Sequence, residues 1–171
     1  MDDVEIVDYD PRWSLLFDEE AKLLRAVLDP SLIVGLEHFG STAIPGLPAK
    51  PILNILIAVR SLSAAQETFV EALRSLDYVY WADNPKKDRM FFVKGMPPFG
   101  SRRSHHVHVT EPHGEMWQRL AFRDYLRAHP EEAETYGRLK KRLAAEHKAD
   151  REVYTEAKSA YVASVMRKAT N

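Results

Sequence analysis

Apolar residues recur at helical spacing from Pro11 to Leu28, where Trp13, Leu16, Phe17, Leu23, Leu24 and Val27 form one stripe. Pro11 suits a first helical position, and Pro30 lies just beyond the end. Ser31–Phe39 is rich in Ile and Val and reads as a strand. Gly40–Lys50 holds two Gly and two Pro and reads as a shaped loop. Pro51–Val59 is apolar on both faces, the pattern of a buried strand. Ser63-Ala64-Ala65-Gln66 has capping-box spacing and predicts a helix running to about Leu76. Tyr78–Trp81, Arg89–Lys94 and Arg103–Thr110 read as further strands, separated by the polar turn Asn84–Asp88 and the loop Gly95–Ser101. From Glu115 onward the period changes to helical, with Trp117, Leu120, Ala121 and Tyr125 on one stripe. Pro130 opens a second helix reaching about His147, and a third spans about Asp150 to Lys168, with Tyr154, Ala157, Tyr161 and Val165 at helical spacing. The pattern predicts an α+β fold, a mixed β-sheet with flanking helices and a helical C-terminal third.

A length of 171 residues predicts one domain spanning 1–171. Hydrophobic residues at 45% and charged residues at 29% exclude a disordered chain. With no cysteine, thiol catalysis, disulfides and thiolate metal sites are excluded. The longest apolar run, Ile52 to Val59, is far short of the roughly 20 residues a membrane helix needs. The acidic start, Met1-Asp2-Asp3-Val4-Glu5, lacks the basic and apolar regions of a signal peptide, so a cytoplasmic location is expected. The net charge of -1 argues against a general nucleic-acid binder but conceals an asymmetry. The first thirty residues hold nine acids and three bases, whereas residues 84–127 hold nine bases and four acids. A basic middle can attract a small anion, or it can pair with the acidic start.

Two features carry chemistry within the apolar framework. The loop begins Gly40-Ser41-Thr42 and ends in Lys50. Glycine permits close backbone approach, loop amides and hydroxyls donate to an anion, and lysine adds charge. The loop lacks P-loop spacing, and a tight structural connection explains the same composition. Asn54 interrupts the buried strand. An unpaired buried amide costs about 1–3 kcal/mol, so Asn54 either bonds within the core or lines a cavity.

The block from His38 through Ile55 resembles the GrpB family, also called UPF0157. Val7–Trp13, His106–Val109 and Leu120–Arg127 extend the likeness over nearly the whole chain. The resemblance implies a nucleotidyltransferase-like fold, in which Gly-Ser opens a phosphate-holding loop and a downstream strand presents two carboxylates to magnesium or another divalent cation. Gly40 and Ser41 match the first element, but Asn54 and Leu56 stand where the carboxylates are expected. An amide is a weaker cation ligand and leucine is none, so metal-dependent transfer is not expected here. The resemblance implies a nucleotide or other small phosphorylated ligand. Because domains of this family also occur fused to dephospho-CoA kinase, it also implies a binding or partner module in coenzyme A metabolism.

His105, His106 and His108 lie on one predicted strand, with His106 and His108 on the same face. Three readings remain open. The pair hydrogen-bonds across the sheet; it joins Arg89 and Arg103 around a phosphate or acts as a general acid–base; or it binds a metal with Glu111. His106 and His108 are expected to share a cleft with Ser41 and Asn54. Structural roles are expected for His113, His129 and His147 at turns and helix ends, and core positions for Phe91, Phe92 and Trp117.

Overall fold

The computed structural model describes residues 5–170. Its elements are α1 (Arg12–Val27), β1 (Ile33–Phe39), β2 (Leu53–Val59), α2 (Leu62–Arg74), β3 (Tyr78–Tyr80), β4 (Arg89–Lys94), β5 (His105–Thr110), α3 (Arg119–Ala128), α4 (Pro130–Glu146) and α5 (Arg151–Ala169). This is the expected α+β order with a helical C-terminal third. The chain groups into two compact units whose segments interleave. One is helical, comprising Met1–Pro11, Gly40–Pro51 and Arg119–Asn171. The other, comprising Arg12–Phe39 and Ile52–Gln118, contains the sheet.

The five strands lie in the order β1-β2-β5-β4-β3. β2 and β5 are parallel and every other pair is antiparallel, so the sheet is mixed. Strand alternation splits the side chains between two faces. One face presents Ile55, Ile57, Val59, Val107, Val109, Met90 and Phe92, and packs with Leu24 and Leu28 of the α1 region and with Phe69 and Leu73 of α2. The opposite face carries Asn54, His106 and His108.

Helix α1 buries part of the predicted stripe, with Phe17 and Val27 packed against the core, and adds Glu20 to it. Trp13, Glu20 and Leu24 are buried, while Leu16 and Leu23 are exposed. Steps of three and four from Trp13 reach Phe17, Glu20 and Leu24, so a carboxylate takes a core-facing position that apolar patterning passes over. Glu20 is satisfied there by the Tyr78 hydroxyl at 2.9 Å and by the Lys94 ammonium. His105 lies against the same carboxylate, with Nε2 3.8 Å from Glu20 Oε2. Its Nδ1 meets the Ser104 hydroxyl at 2.8 Å.

Burial holds His105 below the ordinary histidine range, and Lys94 adds to that effect; the Glu20 charge opposes it. The unfolded chain therefore binds the proton more readily than the folded one. This contribution is absent above an ordinary histidine pKa of about 6.5 and becomes a penalty as pH falls through the window below it. Denaturant titrations at neutral and mildly acidic pH are expected to show a loss of stability on acidification that His105→Gln reduces. An unchanged loss in His105→Gln would assign it to other groups.

Helix α2 also starts differently. Its N-cap is Ser61, two residues before the predicted Ser63, and the Ser61 hydroxyl accepts from Ala64 N at 3.2 Å. The Glu111 carboxylate accepts from Leu62 N at 3.0 Å and supplies a second acceptor to the same helix end.

The helical unit is organised around Ile44, Leu47, Leu126, Ala133, Tyr136 and Val165, with a smaller cluster of Leu143, Ala144 and Tyr154. The 40–51 segment is fastened by an antiparallel bridge between Val7 and Ala49. Arg127 Nε donates to Ala43 O, and Lys140 Nζ donates to Pro48 O, both at 2.9 Å. Gly137 of α4 lets Pro48 approach closely, since a Cβ there would lie 2.9 Å from the proline ring. His129 stacks on Tyr125 and begins α4, and His147 ends it, so both have the structural places expected of them. His113 lies in a turn with φ 70°.

Candidate functional site

In the sheet unit, strand register assembles a polar and aromatic face. Asn54 is flanked by Phe39 on β1 and His106 on β5. Leu56, on the same face, is flanked by Glu37 and His108. Phe91 on β4 pairs with His108. The His106 and His108 rings are 6.5 Å apart by centroid. Phe91 stacks on His108 at 4.7 Å and meets His106 edge-on at 5.1 Å, while Phe39 meets His108 edge-on at 5.3 Å. Phe92 enters the core as expected, but Phe91 belongs to this face. Trp117 covers Gly35, where a Cβ would lie 3.0 Å from the indole.

The Asn54 side chain is half-buried and hydrogen-bonds to none of the described residues. It is therefore not the satisfied core amide that a buried strand would need. His106 Nε2 and His108 Nδ1 are shielded from solvent. An amide, two imidazoles and flanking phenyl rings can hydrogen-bond and stack on a small planar or polar group. An imidazole in such a setting can also exchange a proton with it. Glu37 is the acidic member of the face that patterning overlooked, because its place depends on pairing with Leu56 across two strands.

The other expected ligand groups have different engagements. Arg89 is held by Asp88 at 2.9 Å and Glu115 at 3.3 Å, and it also points a nitrogen at Met116 Sδ. Two carboxylates already meet its charge, and they raise its pKa further, with the Asp88 hydrogen bond the largest cause. Arg103 is half-buried just before β5. Glu111 enters only the metal reading of the histidine pair, one of the three left open. Its carboxylate serves the start of α2, and among the described residues no group of three or more His, Asp or Glu could hold a metal ion.

Gly40, Ser41, Thr42 and Lys50 belong to the helical unit. Gly40 has φ 74°, a backbone that favours glycine, and it caps a 3-10 turn at Ser41–Ala43. That turn uses the Ala43 and Ile44 amides internally, bonding to Gly40 O and Ser41 O. Thr42 is buried, and the Ser41 hydroxyl bonds with the Tyr136 phenol. The loop is thus more inwardly satisfied than an open anion cradle. Lys50 Nζ lies 5.0 Å from the Tyr154 ring centroid.

The model of the GrpB protein family matches residues 3–168 and so spans both units. The chain belongs to the GrpB family. The crystal structure of conserved protein GrpB from Enterococcus faecalis is similar over 96% of each chain, with a TM-score of 0.86 and 33% identity. A UPF0157 protein of Pseudomonas aeruginosa is 46% identical over 98% of this chain and 68% of its own length. A dephospho-CoA kinase of Mycolicibacterium paratuberculosis is 31% identical over 94% of this chain but only 42% of that kinase. The GrpB assignment agrees with the family resemblance carried by the His38–Ile55 block. No helix among the described residues is long and apolar enough to cross a membrane.

Proposed function

We propose that this GrpB chain binds a nucleotide or similar small phosphorylated ligand, contacting it through Asn54, His106 and His108. The observation that supports this reading is the Asn54 side chain, half-buried beside His106 with no hydrogen bond to a described residue. Its amide atoms are not shut off from solvent, so the group is open to a ligand, unlike an amide bonded into the core. The nucleotidyltransferase-like fold that the His38–Ile55 resemblance to the GrpB family implies supports the ligand class. Asn54 and Leu56 in place of carboxylates support binding without the usual metal dependence.

Titration calorimetry with ATP, with and without magnesium, tests the reading. ATP should bind in both conditions. Asn54→Ala should weaken binding about tenfold, the loss of one good hydrogen bond at about 1.4 kcal/mol. Asn54→Asp should make binding respond to magnesium, because it restores a carboxylate oxygen ligand. Absence of ATP binding, or equal affinity in Asn54→Ala, would overturn the assignment. A second reading, a module acting in coenzyme A metabolism, is favoured by the partial match to a dephospho-CoA kinase. It predicts that dephospho-coenzyme A competes with ATP for the same chain.

A further inference from the structure

Two of the three tryptophans are packed into the sheet unit. Trp13 is 5% exposed, and Trp117 lies against Gly35. Trp81 differs, at 47% exposed. It follows β3 at the edge of the sheet, and its backbone N–H donates to Phe91 O at 2.9 Å, which seats it beside Phe91. Phe91 pairs with His108, and His108 pairs with Leu56. One row therefore crosses the sheet from Leu56 through His108 and Phe91 to Trp81, a span of three strand spacings, roughly 14 Å. Asn54 and His106 occupy the neighbouring row of the same face.

The rings at the Trp81 end form a shelf and not a closed core. Phe91 is half-buried and stacks on His108, with ring centroids 4.7 Å apart and planes 30° apart. Trp81 meets Phe91 at 6.1 Å with the planes at 75°. Such a T-shaped contact orients the indole without stacking on it. Among the described residues no other ring contacts Trp81. A large apolar ring held half in water forgoes the gain of burial, and a flat aromatic group laid on it supplies that gain. The same group needs polar edges, because the face beyond Phe91 holds two imidazoles and an amide. A heterocyclic base has both properties, whereas a bare phosphate has no π-face.

We propose that Trp81, oriented by Phe91, is the platform on which the aromatic base of a nucleotide stacks. The proposal rests on the phosphorylated-ligand reading above and deepens it. The base lies at the Trp81 end of the face and the phosphates extend toward Asn54, a distance that an extended nucleoside triphosphate bridges. Stacking tolerates any base, since every base has a π-face, so the class assigned is the nucleotide and not one base.

The test is calorimetry on the full chain at fixed ionic strength, with ATP and inorganic triphosphate as separate probes. The second probe carries the same phosphate chain without a base. Wild-type protein is expected to bind ATP at least about tenfold more tightly than triphosphate. Trp81→Ala should weaken ATP binding by about tenfold or more and leave triphosphate binding unchanged. Trp81→Phe keeps a smaller aromatic face and should recover part of the loss. Equal affinity for the two probes in wild type, or unchanged ATP binding in Trp81→Ala, overturns the platform and leaves the phosphorylated-ligand reading standing. The platform also falls if Trp81→Ala weakens both probes equally, because the ring then does not meet the base. Binding in Trp81→Phe as weak as in Trp81→Ala overturns stacking as the interaction. Failure of both probes to bind overturns the platform and the phosphorylated-ligand reading together.

Discussion

Glu20→Ala is expected to lower unfolding stability by about 3 kcal/mol, the lower end of the cost of breaking a buried ion pair. The lower end applies because the Lys94 side chain remains 20% exposed and can recover some hydration, while Glu20 is 7% exposed. The loss has two sources. Lys94 keeps its charge beside the core without its carboxylate, and the Tyr78 hydroxyl loses its acceptor. For a chain of this size the thermal midpoint should fall by roughly 6–12 °C. Glu20→Gln retains an acceptor for Tyr78 and should cost less than Glu20→Ala. Replacing both partners, as in Glu20→Leu with Lys94→Met, should recover part of the loss, because apolar groups of similar size avoid the desolvation penalty. Urea denaturation of the wild type and these three variants measures the differences. Stability of Glu20→Ala within about 0.5 kcal/mol of wild type would show that the cluster contributes little beyond its packing.

Glu20 also shows where patterning stops being informative. Helix α1 was legible because its apolar residues recur at helical spacing, but that pattern selected Leu16 and Leu23 over Glu20. A charge becomes a core residue only when distant chain segments bring partners to it, and Tyr78, Lys94 and His105 are 58 or more positions away. Asn54 gave the opposite result: a polar residue inside an apolar strand is visible in one dimension, and the structure places it on the face shared by His106 and His108. Period-two alternation alone put those two histidines together. Glu37 was not visible, since its neighbours depend on β1 register. Lys140 was missed for a different reason: a lysine on a helix is ordinarily solvated, whereas this one is buried beside Tyr136 and donates to Pro48 O. The interleaving of two units is equally hidden, because Gly40–Pro51 joins its partners through contacts more than sixty residues away.

Gly95→Ala is expected to cost at least about 3 kcal/mol and to disturb the strand that carries the histidines. Gly95 follows β4 and has φ 98°, a conformation that alone costs an alanine about 1 kcal/mol or more. The larger effect is steric. An added Cβ would lie 2.0 Å from Arg102 O and 2.9 Å from its carbonyl carbon, so backbone, not a flexible side chain, must move. That backbone leads directly into β5, where Ser104 N bonds to Lys94 O and Leu53 N bonds to Ser104 O. Displacing it strains the register that sets His106 beside Asn54 and His108 beside Leu56. Gly46→Ala separates the two effects, because Gly46 has φ 80° but no heavy atom within 4 Å of its added Cβ. It should cost only the conformational part, about 1–2 kcal/mol. Denaturation midpoints measure the difference, and the imidazole resonances of His106 and His108 should shift in Gly95→Ala and not in Gly46→Ala. Equal losses in the two variants would mean that the loop yields to the added methyl, and that Gly95 is needed only for its dihedral angle.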